Sequence, residues 1–272
     1  MKIGVVSDLH LNWIWSGNID ITDDQQWEDK MFFMLPDADI LVIAGDLCDD
    51  ASKALSYCKR SWMKSVSTRY KYIFFVLGNH DYYGASLINL EQKIEKHILE
   101  QKLSNVFLLQ NDCFEIPNTN TMIVGSTLWT DYSNRDPLVM MNASFSMNDY
   151  KQIHDQNYRK VSPERLLQEH YKAKQYIDIV AQENRDKELI VVTHHLPSFA
   201  LCDSYYDNQN TNAYYASDLT DLILDNENIK YWICGHSHQR KQLQIGECLC
   251  MMNAFGYAGS ETQQYEELTF KI

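Results

Sequence analysis

Alternating strand-like and helix-like runs predict an α/β fold whose first half is a largely parallel sheet. A second regularity is more specific. Five apolar, strand-like runs end alike, with metal-ligand residues following at once: Ile3-Gly4-Val5-Val6-Ser7-Asp8-Leu9-His10, Leu41-Val42-Ile43-Ala44-Gly45-Asp46, Phe74-Phe75-Val76-Leu77-Gly78-Asn79-His80-Asp81, Ile190-Val191-Val192-Thr193-His194-His195 and Trp232-Ile233-Cys234-Gly235-His236-Ser237-His238. Six of the nine histidines lie in these stretches, and Gly45, Gly78 and Gly235, out of only ten glycines, each immediately precede a candidate ligand. A glycine there suits a sharp turn or a close approach by another atom.

In chain order, strands are predicted near 2–7, 39–44, 72–77, 105–109, 121–126, 188–193, 230–234, 242–251 and 265–271. Helices are predicted between several of them. Residues 51–66 carry Ala54, Leu55, Cys58, Trp62 and Val66 at helical spacing, and residues 85–102 carry Leu87, Leu90, Ile94 and Ile98. A third helix, over 163–184, opens with Ser162-Pro163-Glu164-Arg165, a cap followed by a proline and an acid. No helix separates the last three strands, so they are expected to return as antiparallel neighbours. Residues 129–161 and 198–217 read as too irregular for scaffold. The first leaves a strand at Thr127 and would form a lid or insertion beside the strand ends; the second follows the fourth motif and carries Tyr205, Tyr206, Tyr214 and Tyr215.

The 272 residues suit one α/β domain spanning 1–272, since no linker-like stretch divides them. No apolar run approaches membrane-spanning length, and the first motif begins at Ile3, leaving no room for a removable leader. Seven cysteines without a C-x-x-C pair read as mostly buried free thiols, which fits a cytoplasmic, reducing setting. Cys248 and Cys250 have the spacing of neighbours on one strand face. A formal charge of -13 opposes wrapping by duplex DNA or RNA, so no extensive nucleic-acid binding is expected. Short basic clusters such as Lys59-Arg60 and Arg159-Lys160 read as solvated surface.

Carboxylates, an amide and imidazoles gathered at five strand ends point to a pair of divalent cations at the rim of a sheet, where they could activate water against a phosphate ester. Oxygen and imidazole donors without thiolate suit manganese, iron or zinc and do not choose among them. His194 and His195 cannot be equivalent ligands, because neighbouring side chains on an extended segment point to opposite sides.

Asp8-x-His10, Gly45-Asp46, Gly78-Asn79-His80-Asp81, His194 and Gly235-His236-x-His238 together resemble the signature of the calcineurin-like metallophosphoesterases, in the family's order and over nearly the whole chain. The resemblance implies a four-layer α/β/β/α sandwich with two mixed β-sheets and a phosphoesterase acting through a dinuclear centre. By position it implies that Asp8, His10 and His238 hold one metal, that Asn79, His194 and His236 hold the other, and that Asp46 bridges both. A shared water would lose its proton there and attack phosphorus. His80 is implied as the group that stabilises the transition state or protonates the leaving oxygen, with Asp49 orienting it. Of His194 and His195, the family pattern selects the first, leaving His195 for the substrate or for support of a ligand.

Departures from relatives narrow the reading. Asp50 stands where Ser/Thr protein phosphatases carry an arginine, and Asp49 where purple acid phosphatases carry a tyrosine. What remains resembles the bacterial and phage-type group that acts on phosphodiesters or small phosphomonoesters, a nucleotide among them. Trp129, Tyr132 and Tyr214 are candidate substrate contacts, since aromatic rims suit stacking on a base. Two alternatives compete: a nuclease, which the acidic balance disfavours, and a non-catalytic binding scaffold, which would be expected to lose several of the seven ligands that this chain keeps.

Overall fold

The computed structural model describes residues 1–12, 35–51, 61–203, 210–257, 261–262 and 265–272. Its strands are β1 (Lys2–Val6), β2 (Ile40–Ala44), β3 (Tyr72–Val76), β4 (Val106–Leu108), β5 (Asp112–Glu115), β6 (Thr121–Ser126), β7 (Glu188–Thr193), β8 (Ile229–Cys234), β9 (Arg240–Ile245), β10 (Cys248–Asn253) and β11 (Leu268–Lys271). They form two mixed sheets, ordered β11-β1-β2-β3-β4 and β5-β6-β7-β8-β10-β9. The fold is therefore the α/β sandwich that the resemblance implies.

Strand periodicity builds the layers. Along β2, Leu41 and Ile43 point to an outer core while Ile40, Val42 and Ala44 point between the sheets. Along β7, Leu189 and Val191 point outward while Ile190 and Val192 meet the first sheet's residues in the middle layer. Side chains alternate faces with a period of two, so a strand covered on both sides must be apolar throughout. Each such side chain, fully buried, stabilises the fold by about 1.5–3 kcal/mol. A charge at Val42 or Val192 would break the seam between the sheets.

Helices close the outer faces. α1 (Ser61–Arg69) and α2 (Leu90–Glu100) bring Trp62, Met63, Val66, Leu90 and Ile94 onto the first sheet. α5 (Pro163–Glu183) packs Ala173, Ile177, Val180 and Ala181 onto the second, and its start is as predicted, with Ser162 Oγ accepting from the Arg165 amide. α6 (Thr220–Asp225) adds Leu222 and Ile223. Of the helix predicted over 51–66, residues 52–60 lie outside the described residues, as do Lys59-Arg60, Tyr205 and Tyr206.

Three expectations need correction. The run 242–251 is two strands, β9 and β10, joined through Gly246 at φ 54, a value that glycine tolerates in a two-residue hairpin. Because that hairpin reverses the chain, β10 pairs with β8 in parallel; β11 crosses to the other sheet and pairs antiparallel with β1. Residues 129–161 are not merely irregular. They contain α3 (Pro137–Ser146) and α4 (Asp149–Gln152) and place Trp129, Tyr132, Val139, Met140, Ala143, Tyr150, Ile153 and Val161 in the first outer core. Asp136 caps α3 and Pro137 opens it, a start hidden by the left-handed turn just before it at Ser133 (φ 54) and Asn134 (φ 58).

Among the described residues, Cys48, Cys113, Cys202, Cys234, Cys248 and Cys250 are free thiols, all buried except Cys113, and the sulfurs of Cys248 and Cys250 lie 4.0 Å apart on one face of β10. No helix among the described residues is long and apolar enough to cross a membrane.

Candidate metal centre

The parallel strands deliver their carboxyl ends to one rim, and there the two sheets are stitched together. Ser7 N donates to the Asn253 carbonyl (3.1 Å) and Gly256 N to that of Asp8 (3.0 Å), so the end of β1 touches the end of β10. Turns tie the rim further: Asp8 N donates to the Gly45 carbonyl (3.0 Å), His10 N to that of Asp46 (3.1 Å) and Gly235 N to that of His194 (3.0 Å).

Asp8 (φ 53), His10 (φ 42), Asp46 (φ 53), His236 (φ 70) and His238 (φ 52) all occupy the left-handed region. Such backbone costs of order 1 kcal/mol or more per residue and persists where surrounding contacts over-determine it. Two glycines make room for the result. A Cβ on Gly78 would fall 2.0 Å from Asp46 Oδ1, and one on Gly45 would fall 2.3 Å from His194 Nδ1.

Side-chain atoms of Asp8, His10 and His238 converge in one cluster and those of Asp46, His194 and His236 in another, each within 4.8 Å. Asp46 lies between them: Oδ2 is 3.3 Å from His194 Nε2 and 4.0 Å from His10 Nε2, while Oδ1 accepts from the His80 amide at 2.9 Å. Asn79 joins the second cluster, its Oδ1 3.1 Å from His194 Nε2. His10 Nε2 faces His238 Nε2 at 3.0 Å. His236 Nε2 is buried without a hydrogen-bond partner, an arrangement that a cation would relieve. The donor set, all oxygen and imidazole nitrogen, fits divalent cations.

The imidazoles of His10, His194 and His238 are each aimed by their other nitrogen. His194 Nδ1 donates to the Ala44 carbonyl (2.9 Å), and His238 Nδ1 pairs with Glu261 Oε2 (2.8 Å). Asp49 Oδ1 meets His10 Nδ1 at 2.5 Å and His80 Nδ1 at 2.9 Å, so one carboxylate orients both rings. Asp81 is structural, accepting from the Gly78 (2.9 Å) and Cys48 (3.0 Å) amides to pin the loops that carry Asn79 and Asp49.

Charge follows geometry. Burial works against the His80 imidazolium, but Asp46 and then Asp49 outweigh it and push its pKa up to about 9. Burial raises the Asp49 carboxyl, yet hydrogen bonds from His10 and His80 hold it well below the usual carboxylate range. Burial, reinforced by His195 and His194, keeps His236 neutral, as a ligand must be.

A cavity of about 640 Å³ opens onto Asp46, Asn79, His80, His236 and His238. Three tyrosine rings line it beside histidines: Tyr83 on His80 (4.4 Å between centroids), Tyr215 on His236 (4.6 Å) and Tyr257 on His10 (4.4 Å). The aromatic candidates from the sequence are elsewhere. Trp129 is 2% exposed and packs between Tyr82 and His195; Tyr132, 3% exposed, bonds to the Tyr150 hydroxyl (2.6 Å); Tyr214 is 7% exposed, with its neighbour Tyr215 taking the cavity wall. His195, 2% exposed, sits behind His236 with Nδ1 on the Thr127 carbonyl (3.2 Å).

Sequence reasoning missed Asp149. Its Oδ1 accepts from Asn79 Nδ2 and from the Tyr83 hydroxyl, both at 2.8 Å, and it is buried. With that oxygen taking the amide nitrogen, Asn79 Oδ1 is left facing His194. No local signal marks Asp149, which lies 70 residues from its partner; Tyr83, by contrast, closely follows Gly78-Asn79-His80-Asp81 and could have been suspected.

Comparison with known proteins agrees with this geometry. The family model described as calcineurin-like phosphoesterase matches residues 1–240. An uncharacterized protein of Acanthamoeba polyphaga mimivirus is 26% identical over 271 residues, covering 93% of this chain and 90% of that one. The crystal structure of a phosphopantetheinyl hydrolase from Mycobacterium tuberculosis superposes with a TM-score of 0.69 at 14% identity, covering 94% of this chain and 89% of that chain; at that identity the likeness is one of fold.

Proposed function

The chain belongs to the calcineurin-like phosphoesterases and is a metal-dependent phosphoester hydrolase; from that premise we propose that it works with two divalent cations on a small phosphate ester. Asp8, His10 and His238 would hold one cation and Asn79, His194 and His236 the other, with Asp46 shared. Bound there, manganese, iron or zinc would supply Lewis acidity for phosphoryl oxygens and would lower the pKa of a bound water. The observation that supports this reading best is Asp46 Oδ2, placed within 4.0 Å of imidazole nitrogens from both clusters.

The remaining work falls to the chain's own groups. His80, its Nδ1 held by Asp49, keeps Nε2 for the leaving oxygen, and the Asp49 carboxylate beside it favours the imidazolium that a general acid requires. Asp49 fixes the His80 ring and the His10 ring together. Residues 129–161 act as a wall of the site, since Ser146, Met147 and Asn148 line the cavity. Tyr83, Tyr215 and Tyr257 take the substrate-contact role first considered for Trp129, Tyr132 and Tyr214. The six cysteines among the described residues, all free thiols, are in keeping with a reducing compartment such as the cytoplasm.

Hydrolysis of bis(p-nitrophenyl) phosphate by protein stripped with a chelator, then reloaded with manganese, iron or zinc, tests the reading. Activity should vanish with the metal and return with it; full activity after verified metal loss would refute it.

A further inference from the structure

The stretch after β10 returns to the rim and touches each member of the first cluster. Phe255 N donates to the Ser7 carbonyl (2.9 Å) and Gly256 N to that of Asp8 (3.0 Å). The Tyr257 ring lies against His10, with 4.4 Å between centroids and the planes 25° apart. Glu261 Oε2 meets His238 Nδ1 at 2.8 Å. Phe255, Gly256, Tyr257 and Glu261 all lie past residue 240, where the family match ends, so their role is read from this chain alone.

Glu261 is not a loose surface acid. Its Oε2 also accepts from the Tyr257 amide (2.8 Å), and its backbone carbonyl accepts from Arg240 Nη2 (2.6 Å), which reaches the Phe255 carbonyl as well (3.1 Å). Gly256 makes the space for the carboxylate. At φ 79 it occupies the left-handed region, and a Cβ there would fall 2.6 Å from Glu261 Oε2.

The distances also say which atom of His238 faces the cluster. Nε2 is 3.0 Å from His10 Nε2 and 3.7 Å from Asp8 Oδ1, while Nδ1 points to Glu261. An ionised carboxylate accepts and cannot donate, so Nδ1 carries the proton and Nε2 keeps its lone pair for a cation. The same arrangement recurs at His10, whose Nδ1 meets Asp49.

We propose that Glu261 is a positioning residue of the metal centre: it holds the ring and the tautomer of His238 so that Asp8, His10 and His238 close on their cation, and Gly256 and the Tyr257 amide hold Glu261 in place. The proposal rests on the two-cation reading above and adds a residue to it.

Manganese(II) binding to the full chain, after stripping with a chelator, tests it by competition with an indicator dye and by elemental analysis. Glu261→Ala should weaken one of the two manganese sites by roughly 10–100-fold and leave the other unchanged. Glu261→Gln removes the same charge but keeps an oxygen that accepts from Nδ1–H, and should restore most of the affinity. In a His238→Ala background, Glu261→Ala should add no further loss, because the two residues act through one contact. Glu261 is 43% exposed, so its truncation opens no cavity in the core, and the metal-free variants should unfold at the wild-type temperature; a lower temperature would place Glu261 in the scaffold and overturn the proposal. Wild-type affinity in the alanine variant overturns it too. So does a glutamine variant as weak as the alanine one, which would assign the effect to charge, and so does an additive loss in the His238→Ala background. Should the wild type bind a single manganese, the two-cation reading fails and Glu261 is judged separately on that ion: weakening by alanine with recovery by glutamine supports its role, and wild-type affinity in the alanine variant refutes it.

Discussion

Asp149→Leu should weaken metal binding at the Asn79 cluster while sparing the other, although Asp149 itself is not a candidate ligand. Asp149 Oδ1 takes the Asn79 amide nitrogen and the Tyr83 hydroxyl, each at 2.8 Å. Leucine has a similar volume but no acceptor, so the buried Tyr83 hydroxyl would lose its acceptor, the Asn79 NH₂ would keep only its longer bond to that hydroxyl (3.3 Å), and Asn79 could rotate to present nitrogen where oxygen is needed. Hydrogen bonds to a carboxylate contribute about 1.5–3 kcal/mol each, and loss of a group that orients a ligand lowers metal affinity by roughly 10–100-fold. Asp149→Asn retains an oxygen with two lone pairs at the same place and should stay near wild type. The assay is metal content per chain after equilibration against buffered metal concentrations, read by elemental analysis alongside turnover. Wild-type affinity in the leucine variant would refute the reasoning; equal losses in both variants would show that charge matters and orientation does not.

His80→Ala should lower kcat by roughly 10²–10⁴-fold while metal content stays near that of the wild type, and loss of a metal would reassign His80 as a ligand. Asp46→Asn should weaken both clusters together, because its Oδ2 faces imidazoles of each; elemental analysis showing one site intact would contradict a shared role. Glu91 concerns stability. Burial is the main cause that pushes its carboxyl from 4.5 up to about 7, where it accepts from the Tyr82 hydroxyl. A raised folded pKa favours the folded state below the unfolded value, and that contribution is lost as pH climbs through 7. Glu91→Gln should therefore be more stable than wild type at pH 8, by about 1–2 kcal/mol, and show no such gain at pH 4. Thermal unfolding at both pH values checks this, and a gain of equal size at the two would dismiss the ionisation.

Strand ends were legible because ligand residues, glycine and an apolar run coincide in a few positions: Gly45-Asp46 and Gly78-Asn79 announce both the turn and the close approach that the structure displays. Long-range pairings were not. Nothing near Asn79 signals Asp149, and nothing in Asp49 tells that it serves His10 as well as His80; these contacts depend on how distant loops meet. Exposed-looking aromatics misled for a related reason. Trp129 and Tyr132 lie in a polar stretch, yet left-handed turns around them fold their rings into the core, while Tyr215 rather than its neighbour Tyr214 reaches the cavity. β5 escaped notice because Asp112-Cys113-Phe114-Glu115 is polar at both ends, as an edge strand can be.

The rim where β1 meets β10 has a mechanical consequence. Asp8, Asp46 and Asn79 hang from one layer of the sandwich and His194, His236 and His238 from the other, so ions clasped among them would rivet the layers at their margin. Resistance to heat would then track the concentration of free ion, rising by about 2.7 kcal/mol at a hundredfold excess over the dissociation constant. Scarcity of metal would thus loosen the scaffold at the same time as it silences the enzyme.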